Sequence, residues 1–337
     1  MGEFALPEFA LIATAGLCSA AVIVLLRPLF LRYALARPNA RSSHTAPTPQ
    51  GGGVAVVLAV VFALGVAGGF GAGQAALAEA LPLGAGVILL TIVGAVDDMF
   101  PIAAMPRLAV QAVAAILVVT TMPPELRAVP VVPLAVERAA EIVAGLWFVN
   151  LVNFMDGIDW MTVAETVPLT AGVFVFALFG AAPHPAGSVA LALCGAMLGF
   201  APFNRPVAKL FLGDVGSLPV GLILFWLLLQ LAGSGHLAAA LLLPLYYVAD
   251  ATFTLLRRIA RGERITQAHR THFYQLATAR GFSVMAVIRL VFAANIALVA
   301  LAAVSIFTAS LGFDLAALAA GGIVVAAVLV TMWRGKP

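Results

Sequence analysis

Long apolar runs separated by short polar stretches fill this chain. Eleven segments are predicted to be membrane-spanning helices, at about 8 to 26, 53 to 70, 81 to 96, 108 to 122, 139 to 152, 163 to 181, 187 to 201, 216 to 232, 237 to 256, 284 to 308 and 315 to 333. The hydrocarbon core of a bilayer takes ~20 helical residues, and short or tilted helices also cross it. Segments four, five and seven are of that short or interrupted kind. No strand-like alternation competes with this pattern, and neither an internal repeat nor a soluble domain boundary is visible. The expectation is an all-α fold, a single polytopic membrane domain over residues 1–337.

Composition agrees. The chain is 63% hydrophobic and 10% charged over 337 residues, with a mean hydropathy of +1.09, which no water-soluble domain of this size sustains. Lys and Arg set the orientation, because basic loops stay on the cytoplasmic side. Sixteen of the 18 basic residues fall on one side of the predicted bundle, leaving Arg127 and Arg138 on the other. The C-terminus is therefore expected in the cytoplasm and the N-terminus outside. The net charge of +3 is small beside that asymmetry, and no nucleic-acid partner is expected. Glu3 and Glu8 stand where a cleaved signal would carry basic residues, so the first segment is expected to remain as a helix. Cys18 and Cys194 lie in apolar segments without ligand-like spacing and are predicted to be core residues.

Five aspartates at segment ends change the picture from a membrane body to a membrane enzyme. They are Asp97 and Asp98 in VGAVDDMF, Asp156 and Asp159 in NFMDGIDW, and Asp214 in FLGDVGS. An ionised carboxylate at membrane depth costs several kcal/mol unless it meets a cation, a partner or water. In the expected orientation all three clusters open to the cytoplasm, where nucleotides are available. Metal-assisted phosphate chemistry is the reading that accounts for them.

Five cytoplasmic segments surround or carry these acids, with loops at about 27–52, 97–107, 153–163, 201–215 and 257–283. In RPNARSSHTAPTPQGGGV the prolines hold the chain extended and Gly51 to Gly53 leave amides for an anion, or simply let two helices pack. Ser42, Ser43 and His44 there are candidate phosphate contacts. Adjacent Asp97 and Asp98 oppose the dipole of the helix they end, and Arg107 is a candidate counter-ion. Side by side they raise one another's proton affinity, as a general base near neutral pH requires. Asn150, Asn153 and Asp156 are spaced by three and share a helical face that Asp159 extends, with Gly157 marking close approach of a ligand. In FNRPVAKLFLGDVGSLPVG, Asp214 between glycines at a helix start suits a magnesium ligand, with an N-cap role for Asp214 or Ser217 as the alternative. Phe211 is placed to stack on a base or to pack. In RRIARGERITQAHRTHFYQ the cations anchor the chain to anionic headgroups, and His269 and His272, three apart with Arg270 between them, are predicted to share a helical face and contact phosphate rather than zinc.

Taken in order, these segments resemble the polyprenyl-phosphate N-acetylhexosamine-1-phosphate transferase family of integral membrane enzymes. The shared elements are the Pro- and Gly-rich first loop, the paired Asp, N-x-x-N-F-x-D-G-x-D, F-x-G-D-x-G-S and H-x-x-H-x-Y-Q, running from about residue 38 to 275. The resemblance implies transfer of a sugar 1-phosphate from a UDP-N-acetylhexosamine to undecaprenyl phosphate at the inner membrane, with release of UMP and with Mg2+ or Mn2+ as cofactor. It implies that Asp97 acts as base with Asp98 in support, that Asp214 holds the metal, and that Asp156 joins it or lies nearby. It also implies that Asn150, Asn153, Asp156, Gly157 and Asp159 are nucleotide-side or metal-shell residues, with Asn204 and Phe211 near the uracil and Lys209 among the substrate-binding residues. His269, His272 and Arg270 are implied to meet pyrophosphate or sugar, and homodimers in the family make a dimer an expectation by analogy.

Two departures from the family pattern matter. Trp160 stands where the family commonly has Gly after D-G-x-D, and the histidine motif lacks three consecutive histidines. The second departure, with the SSHxxPTPxGGG loop, is similar to the branch that initiates O-antigen, teichoic acid or related glycans, rather than the muramyl-pentapeptide branch. It implies UDP-N-acetylglucosamine or a 6-deoxy relative as donor. The competing class is an ion-coupled secondary transporter, but carriers place acids near the midplane and show paired halves.

Overall fold

The computed structural model describes residues 5–36, 47–69, 74–264 and 269–336. Ser42, Ser43 and His44 lie outside the described residues. The chain is a helical bundle of α1 (Ala5–Tyr33), α2 (Gly52–Gly69), α3 (Gln74–Met99), α4 (Ala104–Thr120), α5 (Leu134–Met155), α6 (Met161–Leu178), α7 (His184–Asn204), α8 (Asp214–Gly233), α9 (Leu237–Leu242), α10 (Leu245–Ala260), α11 (Phe273–Ala279), α12 (Val284–Thr308) and α13 (Leu311–Arg334). Two-residue strands, β1 (Leu35–Ala36) and β2 (Thr48–Pro49), pair antiparallel at the two ends of the first loop. Seven of the helices are long and apolar enough to cross a membrane, and α2 and α4 are shorter apolar helices, as expected of a polytopic membrane protein.

Helix α8 is the axis of the bundle. A helix that is apolar all round finds a favourable place only where every face is covered, and Val215 to Ala232 are buried without a break. Helices α3, α5 and α2 pack directly on it. Its N-terminal end and the C-terminal ends of α3 and α5 are thereby brought to one end of the bundle, the end that carries the aspartates. Arg127 and Arg138, the two basic residues assigned to the far side, sit at the opposite end of α5. There Arg127 pairs with Glu137, and Arg138 with Glu141 at 2.7 Å.

Three elements differ from the sequence expectation. The predicted span at 237 to 256 is split at Leu243 and Pro244 into α9 and α10, because proline has no N–H to give the preceding turn and its ring crowds the carbonyl four residues back. The row from Asn150 to Asp159 is not one helical face, since α5 ends at Met155 and Asp156 to Trp160 form a loop. The histidines also do not share a helix: His269 and Arg270 precede it, His272 is the extended N-cap of α11, and the seven-residue helix starts at Phe273.

Candidate active site

The first amides of α8 meet the end of α3. Gly213 just before it takes a φ of +77°, which glycine adopts without steric cost. Beside it Asp98 accepts the Asp214 N–H at 2.9 Å on Oδ1 and the Val215 N–H at 3.1 Å on Oδ2. The unpaired amides and partial positive charge of a helix N-terminus favour such a carboxylate. Neither Asp214 nor Ser217 is therefore the cap; a residue 116 positions earlier in the chain does that work. The backbone oxygen of Asp98 also accepts from Gln50 Nε2 at 2.7 Å.

With its own amide held, Asp214 turns its carboxylate toward α4 and α5. Oδ1 accepts from Asn153 Nδ2 at 2.8 Å, and the same amide reaches Ser217 Oγ at 2.8 Å. Oδ2 meets Arg107 Nη1 at 3.2 Å, and that nitrogen donates to Asp97 Oδ2 at 2.7 Å. Asp97 Oδ1 accepts the Ile102 N–H at 2.6 Å. The ion pair expected for Arg107 is thus a bridge between two of the acids. Asp156 joins them across the loop, within electrostatic reach of Asp98 and Asp214. Burial, reinforced by Asp214 and Asp159, pushes the Asp156 carboxyl up to about 7, against the opposing hydrogen bond from Thr162.

The glycine loop serves packing. Gly52 and Gly53 give their N–H groups to the carbonyls of Phe211 and Leu212, each at 2.9 Å, so these amides are not left for an anion. A Cβ on Gly53 would fall 2.1 Å from Gly216 Cα, so the backbones of α2 and α8 touch here. Gly157 is likewise close to protein: a Cβ there would sit 2.0 Å from the Tyr274 hydroxyl, which donates to Phe154 O at 3.0 Å. The close approach expected of a ligand at Gly157 is made by the histidine segment itself.

Among the other predicted residues, Asn150 is buried and donates to Gln111 Oε1 at 2.5 Å and to Leu146 O at 2.8 Å, beneath the acids. Asp159 turns inward, accepting from the Ala208 N–H at 3.0 Å. Asn204 holds the loop of Trp160 by accepting its N–H at 2.8 Å, and donates to Leu210 O at 3.0 Å. Lys209 and Arg270 are exposed, and half-buried Phe211 pairs its backbone with Pro49. Trp160 has a φ of +63°, the left-handed conformation glycine favours, and its ring nitrogen donates to Ala201 O at 2.6 Å. The backbone shape is one suited to glycine, and a bulky residue is held in it.

The histidine segment is anchored by a residue that the sequence reading passed over. Asp250 of α10 is fully buried and bonds His272 Nδ1 at 3.1 Å, the Phe273 N–H at 3.0 Å and the Tyr274 N–H at 3.2 Å. The rings of His269 and His272 stack at 5.0 Å and those of His272 and Tyr274 at 5.7 Å. His272 lies 6.4 Å from the ring of Phe154, next to the Asp156 loop. The signal was available: Asp250 is the one acid between Asp214 and Glu263, inside a predicted span.

Among the described residues, no three acids, histidines or cysteines converge as a complete set of metal ligands. The donor chemistry nevertheless fits a hard divalent cation. Asp97, Asp98, Asp156 and Asp214 interact electrostatically with one another, and the Arg107 guanidinium pairs with Asp97 and Asp214. Magnesium is held by one or two carboxylates and completes its octahedron with water and substrate phosphate.

Comparison with known proteins converges on the same segments. Residues 80–232 match the model of glycosyl transferase family 4, a stretch that contains Asp97, Asp156 and Asp214. A probable undecaprenyl-phosphate N-acetylglucosaminyl 1-phosphate transferase of Bacillus subtilis is 26% identical, over 81% of this chain and 78% of its own length. A decaprenyl-phosphate N-acetylglucosaminephosphotransferase of Mycobacterium leprae is 27% identical, over 77% and 73%. A phospho-N-acetylmuramoyl-pentapeptide-transferase of Oceanobacillus iheyensis is 42% identical over a shorter stretch, 21% of this chain and 22% of its own. Matched in its central part by that family model, in relatives along most of its length and in the order of its polar segments, this chain is similar to polyprenyl-phosphate N-acetylglucosamine-1-phosphate transferases.

Proposed function

We propose that the protein transfers N-acetylhexosamine 1-phosphate from a UDP-sugar to undecaprenyl phosphate at the cytoplasmic membrane face, giving the diphosphate-linked lipid and UMP. UDP-N-acetylglucosamine or a 6-deoxy relative is the donor, and the product initiates a surface glycan. The observation that carries the reading is the gathering of Asp97, Asp98, Asp156 and Asp214 within electrostatic reach of one another at one end of an apolar bundle, with Arg107 paired to two of them, Asp97 and Asp214. Four interacting carboxylates, two of which meet a cation, are a poor way to stabilise a fold, and a good way to hold cationic charge beside phosphates. The two relatives matched over most of their length are named for N-acetylglucosamine 1-phosphate transfer to polyprenyl phosphates, which supports the donor and acceptor.

Asp214 and Asp156 are the residues to hold Mg2+, which Mn2+ can replace. When bound, the ion would neutralise charge on the two phosphorylated reactants. The acceptor's phosphate oxygen attacks the β-phosphorus of the donor; the bond to the oxygen bridging to the α-phosphorus breaks, and UMP leaves with that oxygen. Asp97 takes the proton of the acceptor phosphate when it arrives protonated. Arg107 fixes the distance between Asp97 and Asp214 through a shared nitrogen. Asn153 sets the rotamer of Asp214, and Asp98 locks the start of the helix that carries it. His269, His272 and Arg270 are the residues to meet the donor's pyrophosphate or sugar, with Phe211 near the uracil and Asn204 holding the Trp160 loop beside it.

The test is incubation of the purified protein with undecaprenyl phosphate, magnesium and a panel of UDP-sugars, with UMP and the lipid product read out. Turnover with UDP-N-acetylglucosamine or its 6-deoxy relative is expected. A folded preparation inactive with every donor would remove the proposal and favour an ion-coupled carrier.

A further inference from the structure

Asp250 lies in α10 with none of its surface exposed, in a chain where 10% of residues are charged. A buried carboxylate is retained at a cost unless its oxygens are met by donors. Five donors reach it: His272 Nδ1, the Phe273 and Tyr274 amides, the Tyr246 hydroxyl at 3.3 Å and the Thr254 hydroxyl at 3.4 Å. Three of the five come from consecutive residues, 272 to 274. The carboxylate therefore clamps one ring and the backbone that follows it, rather than serving the bilayer part of α10.

The clamp has a chemical consequence. An ionised carboxylate only accepts hydrogen bonds, so its bond to Nδ1 selects the imidazole form protonated at Nδ1 and leaves the lone pair of the neutral ring on Nε2. Stacking of that ring with His269 and with Tyr274 fixes its plane. Tyr274 is itself tied to Phe154 O, one residue from Met155 and two from Asp156. The ring is thus registered on the same loop as the acids.

We infer that Asp250 is a positioning residue of the transfer reaction: it holds His272 in one tautomer so that Nε2 accepts a hydrogen bond from a hydroxyl-bearing group of the sugar nucleotide. The inference rests on the proposed transfer for its kinetic part only. Orienting partners of this kind are worth 10- to 100-fold in activity in carboxylate–histidine pairs at metal sites, and a loss on that order in kcat is expected for Asp250→Asn, with the KM for the lipid acceptor little changed.

The first measurement is the ring 15N shifts of His272 in the wild-type protein, labelled at histidine and assigned with His272→Gln. A protonated Nδ1 and an unprotonated Nε2 at pH above the ring's titration are expected, and the opposite tautomer would overturn the inference. It needs no turnover, so it stands apart from any failure of the proposed reaction. The second is a double-mutant comparison of kcat. If Asp250 acts through His272, Asp250→Asn costs less than about twofold more in a His272→Gln background; a full additive loss there would make its role purely structural and refute the positioning claim. Where Asp250→Asn is too unstable to assay, the tautomer measurement decides alone.

Discussion

The two polar regions at this end of the bundle are built on opposite principles. At the start of α8, Asp97, Asp98, Asp156 and Asp214 lie within electrostatic reach of one another, and Arg107 pairs with two of them, Asp97 and Asp214. Beneath the histidine segment, Asp250 stands alone among five donors and is fully buried. The first arrangement gathers more carboxylates than it pairs with a cation, which is what the proposed metal site requires. The second is complete in itself and serves to hold others in place. Acids in a membrane protein therefore divide by what surrounds them: an unbalanced group marks where ligand chemistry occurs, and a saturated one marks what keeps the geometry.

That contrast can be broken by deleting each kind of acid. Asp250→Ala leaves several buried donors without an acceptor and is expected to cost about 3–5 kcal/mol of stability, read as a large drop in the thermal transition of the detergent-solubilised protein. Asp214→Asn should do the reverse, leaving that transition unchanged or raised by relieving repulsion, while lowering UMP release on the order of 10²–10³-fold. An Asp214→Asn protein that lost its fold, or kept full activity, would erase the distinction.

Asp98 sharpens the comparison because it belongs to both kinds. It sits within the unbalanced cluster, yet both its oxygens cap α8. Asp98→Ala is expected to cost about 1–2 kcal/mol, as loss of a helix cap does, whereas Asp97→Ala, which removes the acceptor of the Ile102 N–H and one partner of Arg107, should cost about 1 kcal/mol and act chiefly on turnover. A smaller effect follows from Asp156. Its carboxyl, raised to about 7 by burial and by Asp214 and Asp159, is protonated in the cation-free protein below that pH. Magnesium affinity, measured by titration calorimetry, should therefore weaken as pH falls through 7 and level off above it. The folded-state pKa lies above the ordinary carboxylate value, so this group's contribution favours the fold at low pH and is lost as pH rises toward 7, unless the cation is present. The smallest effect is expected for Trp160→Gly. Relief of a left-handed conformation, worth about 1–2 kcal/mol, offsets the lost indole hydrogen bond to Ala201, so the thermal transition should move little.

Much of this was legible before any coordinates. Apolar run lengths identified a polytopic helical protein, and the paired Asp and F-x-G-D segments marked Asp97 and Asp214, the two acids that meet at Arg107. The glycine loop was less legible. Gly51 to Gly53 have the composition of an anion nest, but whether an amide is free depends on what lies opposite, and here the Phe211 and Leu212 carbonyls do. The spacing of the histidine pair predicts a shared helical face, although an N-cap residue and one in the segment before it can stack just as well.

What the sequence by itself determined is which residues are too costly to bury without a reason: hydropathy is a local property, summed residue by residue, and needs no partner to be read. Which of those residues is satisfied by protein was decided only in three dimensions. Asp98 finds its amides at positions 214 and 215, and Asp250 finds His272 beyond the basic loop. Hydrogen-bond saturation is a matter of contacts at about 3 Å between distant parts of the chain, and no spacing along the chain encodes that distance.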